Sequence, residues 1–241
     1  MKKILTIIAL IGLAIPASAQ WGSQKVKGNG NKKTITRSIS DYDKVNVSGS
    51  FDVFLVAGKE GEITIEAVEN LMEYIITETE GNSLKIKTEK GYNLQPSNRM
   101  GIIITVPFED LDEVTLAGSG DIQNKDLIKS NSFECSVSGS GDMVLDVEGG
   151  DIEASVAGSG DLTLRGSADK LEVNVTGSGD IHGKEMKAHD TEANVTGSGD
   201  IVINCDGGNL KARVTGSGDI QYVGDPAKED FKVTGSGSIS N

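Results

Sequence analysis

Through the second half of the chain, apolar and polar residues alternate in short runs that break at a recurrent tetrapeptide. With the first glycine of that tetrapeptide as origin, position −2 is held by Leu116, Val137, Val156, Val175, Val195, Val214 and Val233. Position −4 holds Val114, Cys135, Ala154, Val173, Ala193, Ala212 and Phe231, and position +4 holds Ile122, Met143, Leu162, Ile181, Ile201, Ile220 and Ile239. All are apolar, and Glu, Thr, Ser, Asn and Lys fill the places between them. Period-two alternation predicts strands with one buried face. The tetrapeptide is Gly-Ser-Gly-Asp from Gly118, Gly139, Gly158, Gly177, Gly197 and Gly216, and Gly-Ser-Gly-Ser from Gly235, at intervals of 21, 19, 19, 20, 19 and 19 residues. A near-constant period of this length marks a stack of one short structural unit.

The expected fold class is therefore all-β: a β-solenoid, parallel β-helix-like, with rungs of 19–21 residues. Each rung reads as strand, glycine-rich corner, strand and second turn, with two or three strands per rung left open. Helix is disfavoured, because each interior glycine would cost roughly 1 kcal/mol against alanine. One rung encloses nothing, but rungs stacked at about 4.8 Å lay small and β-branched side chains over one another into a continuous core. The corner glycines supply positive φ, and a side chain there would collide with the next rung.

In such a stack Asp121, Asp142, Asp161, Asp180, Asp200 and Asp219 fall in one column. Two carboxylates about 5 Å apart repel by roughly 0.8 kcal/mol in water and about 3 kcal/mol at an effective dielectric of 20. Solvent, corner N–H groups and the serines at 119, 140, 159, 178, 198 and 217 are the structural remedy. Calcium between rungs is the alternative, although calcium-binding β-rolls use a nine-residue repeat with a G-x-G-x-D order. The structural remedy is preferred, so no metal ligand, catalytic residue or cofactor-binding residue is assigned.

Residues 35–117 lack the tetrapeptide yet read as strands at Val45–Val47, Phe51–Val56, Ile63–Ala67, Tyr74–Glu78, Leu84–Thr88 and Gly101–Val106, with one helical turn plausible over Glu66–Glu73. Val47-Ser48-Gly49-Ser50-Phe51-Asp52-Val53 is a worn copy of the corner, with phenylalanine at the second glycine. The winding is thus expected to begin irregularly and regularise later. The organisation expected is an export signal over 1–19, a flexible segment over 20–34, an irregular β-rich half over 35–117 and a regular solenoid over 118–241.

Several pieces in this order carry a resemblance. They are Arg37-Ser38-Ile39-Ser40-Asp41-Tyr42-Asp43-Lys44-Val45-Asn46-Val47-Ser48-Gly49, Asn70-Leu71, Gly81-Asn82-Ser83-Leu84-Lys85-Ile86, Val106-Pro107 and Leu116-Ala117-Gly118-Ser119-Gly120-Asp121. Together they resemble the auto-transporter adhesin head, or GIN, domain family over about residues 35 to 230. The resemblance implies a β-rich, solenoid-like bacterial exported domain without an established activity.

Export is also read from the residues. Lys2 and Lys3 precede an apolar stretch of twelve, Ile4 to Ile15, and Ala17-Ser18-Ala19 offers a cleavage site. Twelve residues fall short of the roughly 20 needed to span a membrane. The expected destination is periplasmic, outer-surface or extracellular. Loss of the two lysines takes the formal net charge from −13 to −15, which opposes nucleic acid and anionic membranes as partners. Cys135 and Cys205 fall three rungs apart, about 14 Å at 4.8 Å per rung, beyond the roughly 7 Å a disulfide bridges. Both read as buried fillers.

His182 and His189 read as surface residues, one outward on a strand and one in a variable turn, and no nucleophile triad, metal-ligand spacing or phosphate loop appears. The expected function is a non-enzymatic cell-surface or periplasmic interaction protein, adhesin-like, with a surface glycan or protein as partner class and no cofactor. A calcium-dependent carbohydrate binder is the alternative, and a polysaccharide-degrading enzyme stands third.

Overall fold

A computed structural model describes residues 23–97 and 101–241; the expected export signal over 1–19 lies outside them. The alternating positions do become strands, and the fold is a β-solenoid of about seven turns. Each rung lies on the next in parallel register. Val137, Val156, Val175, Val195, Val214 and Val233 form one continuous row of paired positions. Its members up to Val214 are buried, as are Cys135, Ala154, Val173, Ala193 and Ala212 two residues earlier.

A rung is two extended segments joined at one end by the glycine corner. At the other end the chain stays extended through Met143–Gly158, Leu162–Gly177 and Ile181–Gly197, where a separate second turn was expected. Pairing skips a single residue there, at Asn131, Gly150, Asp169 and His189. The long interval after Gly118 is absorbed by Asn124, which sits in a core position between Leu55 and the next rung. Its amide donates to the carbonyls of Asp126 (2.9 Å) and Asp146 (2.7 Å) and accepts from the N–H of Asp146 (2.9 Å). A buried polar side chain is tolerable when its donors and acceptors are met in this way. The extra residue after Gly177 is taken up by a bulge, Gly183 and Lys184 lying between the paired His182 and Glu185.

The worn corner is the first turn of the same winding. Lys44–Gly49 lies in register under Glu113–Gly118, and Asp52–Ala57 under Asp121–Asn124. One buried cluster runs from Tyr42 to Tyr222 without interruption at residue 117. Beyond this first turn the mode of closure changes. Lys32–Ser38 pairs antiparallel with Glu62–Val68, and Ile75–Glu80 antiparallel with Ser83–Thr88. A 3₁₀ turn, Glu69–Tyr74, buries Leu71 and Met72. Arg37 ties these pieces together, its guanidinium donating to the carbonyls of Met72 (2.7 Å) and Ile75 (2.5 Å). The segment 20–34, expected to be flexible, holds the strand Gln24–Lys27 and the start of Lys32–Ser38. Gln24–Lys27 pairs with Tyr92–Gln95, a strand the alternation did not reveal.

Candidate functional site

The corner is the most repeated chemistry in the chain. The carbonyl of each first glycine accepts two N–H groups from the rung above. For Gly139 these come from Ser159 (2.8 Å) and Gly160 (3.1 Å), and the pattern recurs at Gly118, Gly158, Gly177, Gly197 and Gly216. The first glycines hold φ near +130°, and a Cβ on the second glycine of a rung would be driven into the backbone carbonyl of the second glycine below. Phe51 is admitted at that place because no glycine corner lies beneath it; its buried ring fills the space instead.

The aspartate that follows the glycines serves the next rung. Asp121 Oδ1 accepts the N–H of Asp142 (3.1 Å), Asp142 that of Asp161 (3.0 Å) and Asp161 that of Asp180 (2.9 Å). Asp180 and Asp200 continue to Asp200 and Asp219, both at 2.7 Å. A backbone donor that has no carbonyl opposite it is thereby satisfied at each corner from Gly139 onward. Ser238 closes the ladder, donating its N–H (2.6 Å) and hydroxyl (2.9 Å) to Asp219. The remedy for the carboxylate column is thus the aspartate N–H of the neighbouring rung. The corner serines point outward, exposed, and the contact among them is Ser50 with Ser119 at 2.9 Å.

Each aspartate retains its second oxygen. At one point these meet a histidine: ligating atoms of Asp161, Asp180 and His182 lie within 4.8 Å of one another. His182 is exposed, as read from the alternation, but the sequence did not reveal its two carboxylate neighbours. His189 is exposed at the bend, away from this group. Cys135 is buried between Val114 and Ala154, and Cys205 is buried beside Ala188 several rungs on; both are free thiols. Complete burial holds the Cys135 thiol well above its ordinary pKa.

A second column lies among the polar places, which the apolar alternation does not single out. Five places before the first glycine stand Glu113, Glu134, Glu153, Glu172 and Glu192, stacked rung on rung. Lys44 pairs with the first (2.8 Å) and Lys211 with the last (2.6 Å). Among the described residues the middle three are in no ion pair, and Glu134, Glu153 and Glu172 line a shallow groove of about 260 Å³ with Asp151 and Lys170. Two places along, Asn174 Oδ1 accepts from Asn194 at 3.0 Å. Its signal in the sequence is the fixed offset of five places before the first glycine. The result is a flat face carrying rows of like side chains.

Among the described residues, no helix is long and apolar enough to cross a membrane. No curated protein matches the chain. Its structure is similar to that of a protein described as a putative adhesin from Bacteroides fragilis NCTC 9343, at 21% identity and TM-score 0.81, over 90% of this chain and 99% of that one. It is also similar to a protein from Parabacteroides distasonis ATCC 8503 described as a putative lipid binding protein, at 30% identity and TM-score 0.73 over the same shares. A putative adhesin from Parabacteroides merdae ATCC 43184 follows at 23% identity and TM-score 0.71, again over 90% and 99%. The family described as "Putative auto-transporter adhesin, head GIN domain" matches residues 41–226, and the chain belongs to it.

Proposed function

We propose that this chain is an exported, non-catalytic, adhesin-like binding protein acting at the cell surface or in the periplasm. The observation that carries this reading is the flat face beside the corners, where glutamate, serine and asparagine side chains repeat at rung spacing from Glu113 to Glu192. A surface with a translational repeat suits an extended partner, a surface glycan or a protein strand, better than a compact small molecule. The same glutamates favour neutral or cationic groups on that partner. The repeated aspartates, the chain's most conspicuous carboxylates, accept the N–H groups of the ladder. That duty supports a structural role over general acid–base work.

A glycan array and a binding assay on intact bacterial cells test the reading, comparing the native chain with a Glu134→Gln, Glu153→Gln, Glu172→Gln variant. The native chain should bind a polymer or surface without degrading it, and the triple variant should bind measurably differently. Release of reducing ends from any polysaccharide in the panel would overturn it.

Calcium-dependent carbohydrate binding is the second reading, favoured by the second carboxylate oxygens of Asp161 and Asp180, which lie close together; His182 beside them offers nitrogen, which calcium does not prefer. It requires that chelation abolish array binding. The Parabacteroides distasonis relative is described as lipid-binding. In this chain the solenoid interior is filled by side chains from Val45 to Tyr222, so a lipid would have to lie on the surface.

A further inference from the structure

Along the aspartate column one place differs from the rest. Asp161 Oδ1 accepts the N–H of Asp180 (2.9 Å) and Asp180 Oδ1 that of Asp200 (2.7 Å). Those bonds hold each carboxylate in place and leave its second oxygen unclaimed. Among the described residues neither aspartate is in an ion pair; Arg165, four residues beyond Asp161, is engaged by Asp146 (3.6 Å) and Glu185 (3.2 Å).

His182 stands two residues beyond Asp180, exposed, with Thr163 below it and Val202 above. One ligating atom from each of Asp161, Asp180 and His182 lies within 4.8 Å of the others, and no other group of three among the described residues meets that condition. The corresponding place on the other aspartate-bearing rungs holds Gln123, Val144, Thr163, Val202 and Gln221, which offer neither imidazole nor carboxylate. The three members lie 19 and 2 places apart along the chain, so stacking of rungs assembles the group and no local motif announces it.

We propose that Asp161, Asp180 and His182 bind one zinc-class divalent cation across two rungs, with water completing the coordination. Two carboxylate oxygens with an imidazole nitrogen suit zinc and its late first-row neighbours, whereas calcium takes oxygen ligands, about six to eight of them. Tetrahedral ligands about 2.1 Å from zinc stand roughly 3.4 Å apart. From a spread of 4.8 Å or less, rotation of the exposed imidazole closes the set.

The position in the column favours the same place. Asp161 and Asp180 are the third and fourth of six aspartates, each with a carboxylate rung on either side, so like charge is most concentrated there. A divalent cation between them lifts the repulsion that the N–H ladder leaves. The bulge at Gly183 and Lys184 follows His182 directly. Bulges commonly re-aim a side chain beside a binding site. The cation clips the rung of Asp161 to that of Asp180 and owes nothing to the glutamate face.

Zinc titration of the chelator-treated, untagged protein tests the proposal, read by calorimetry and by melting temperature. Micromolar zinc should bind as a single equivalent and raise the melting temperature by several degrees, because a ligand of the folded state stabilises it. Millimolar calcium should raise it little. His182→Gln should weaken zinc at least about tenfold, since even residues behind the ligands are worth about 10–100-fold in metal affinity. Its metal-free melting temperature should hold, because the imidazole is exposed.

Asp161→Asn with Asp180→Asn keeps the ladder and should lose zinc as well. His189→Gln should leave binding intact, and zinc should shift the imidazole NMR signals of His182 while sparing those of His189. A protein that binds no zinc overturns the proposal. So does zinc held equally by His182→Gln, or lost equally on His189→Gln. A thermal gain that millimolar calcium matches overturns it too and returns the two aspartates to the calcium reading.

Discussion

The regular half and the irregular half of this molecule continue one winding but hold it by different means. From Gly118 onward every turn repeats the last, so each corner must fit against a copy of itself. That condition excludes side chains from the glycine places and keeps the −4 row to Val, Cys and Ala up to Ala212. The other buried rows of the regular half still take large side chains, Phe133, Leu145 and Leu164 among them. Before Gly118 strands meet in both directions and no corner lies under the corner at Gly49, so no row is held to small residues by a copy of itself. Tyr42, Phe51, Leu55, Ile63, Ile65 and Leu71 are all buried there. Self-stacking constrains a sequence more tightly than burial does.

The sharpest way to break this comparison is at its core row. Val175→Asp puts an unpaired charge between Val156 and Val195 and should prevent folding or cost more than about 4 kcal/mol. Its outward neighbour Thr176→Asp should cost less than about 1 kcal/mol. Equal loss of melting temperature in the two would refute the strand register.

Next in size is the contrast between glycines. Gly179→Ala drives a Cβ into the carbonyl of Gly160, whereas a Cβ on Gly81, at φ +63° in the hairpin turn of the irregular half, meets nothing within 4 Å. The first should be as damaging as a core charge. The second should cost about 1–2 kcal/mol, the penalty of a left-handed backbone alone. Chemical denaturation of both variants measures the difference, and a mild Gly179→Ala would show that the corners do not stack tightly.

The ladder gives a smaller effect. Asp161→Ala leaves the N–H of Asp180 without its acceptor and should cost about 1–3 kcal/mol. Asp161→Asn together with Asp180→Asn keeps acceptors in place and lowers repulsion, so stability should be unchanged or slightly higher. Millimolar calcium should move the melting temperature of the native protein little. A rise of many degrees that the double substitution removes would make the ladder a metal site.

Smallest is Asp52, at the foot of the column in the irregular half. The N–H of Asp121 bonds to the Phe51 carbonyl (3.0 Å), so the Asp52 carboxylate has no ladder duty. Partial burial and, secondarily, the charge of Asp121 raise its pKa. A carboxyl with a raised folded-state pKa favours the fold while protonated and loses that contribution as pH rises through its folded value. Asp52→Asn should therefore melt slightly higher than the native protein at pH 7. The gap should close as pH falls below the ordinary carboxylate range near 4. A constant gap across that range would remove the assigned cause.

The worn corner at Gly49 was legible from its residues alone, since it lies 69 residues before the corner it pairs with. The strands of the regular half and the outward place of His182 were legible because a stacked repeat turns sequence distance directly into spatial neighbourhood. A residue 19 or 20 places on is the residue above. By the same rule the aspartate column could be foreseen. Its bonding could not, because which N–H lacks a carbonyl depends on how the corner backbone turns. Asn124 was illegible for a related reason: a polar residue in an apolar row is explained only when the carbonyls of Asp126 and Asp146 are seen around it. Arg37 likewise holds Met72 and Ile75 across more than thirty residues with no period to announce the contact. Local alternation and the repeat determined that this chain winds. Only the tertiary structure decided how the winding starts and which groups bond at its corners, because the first turn of a stack lacks the like neighbour that makes its interior predictable.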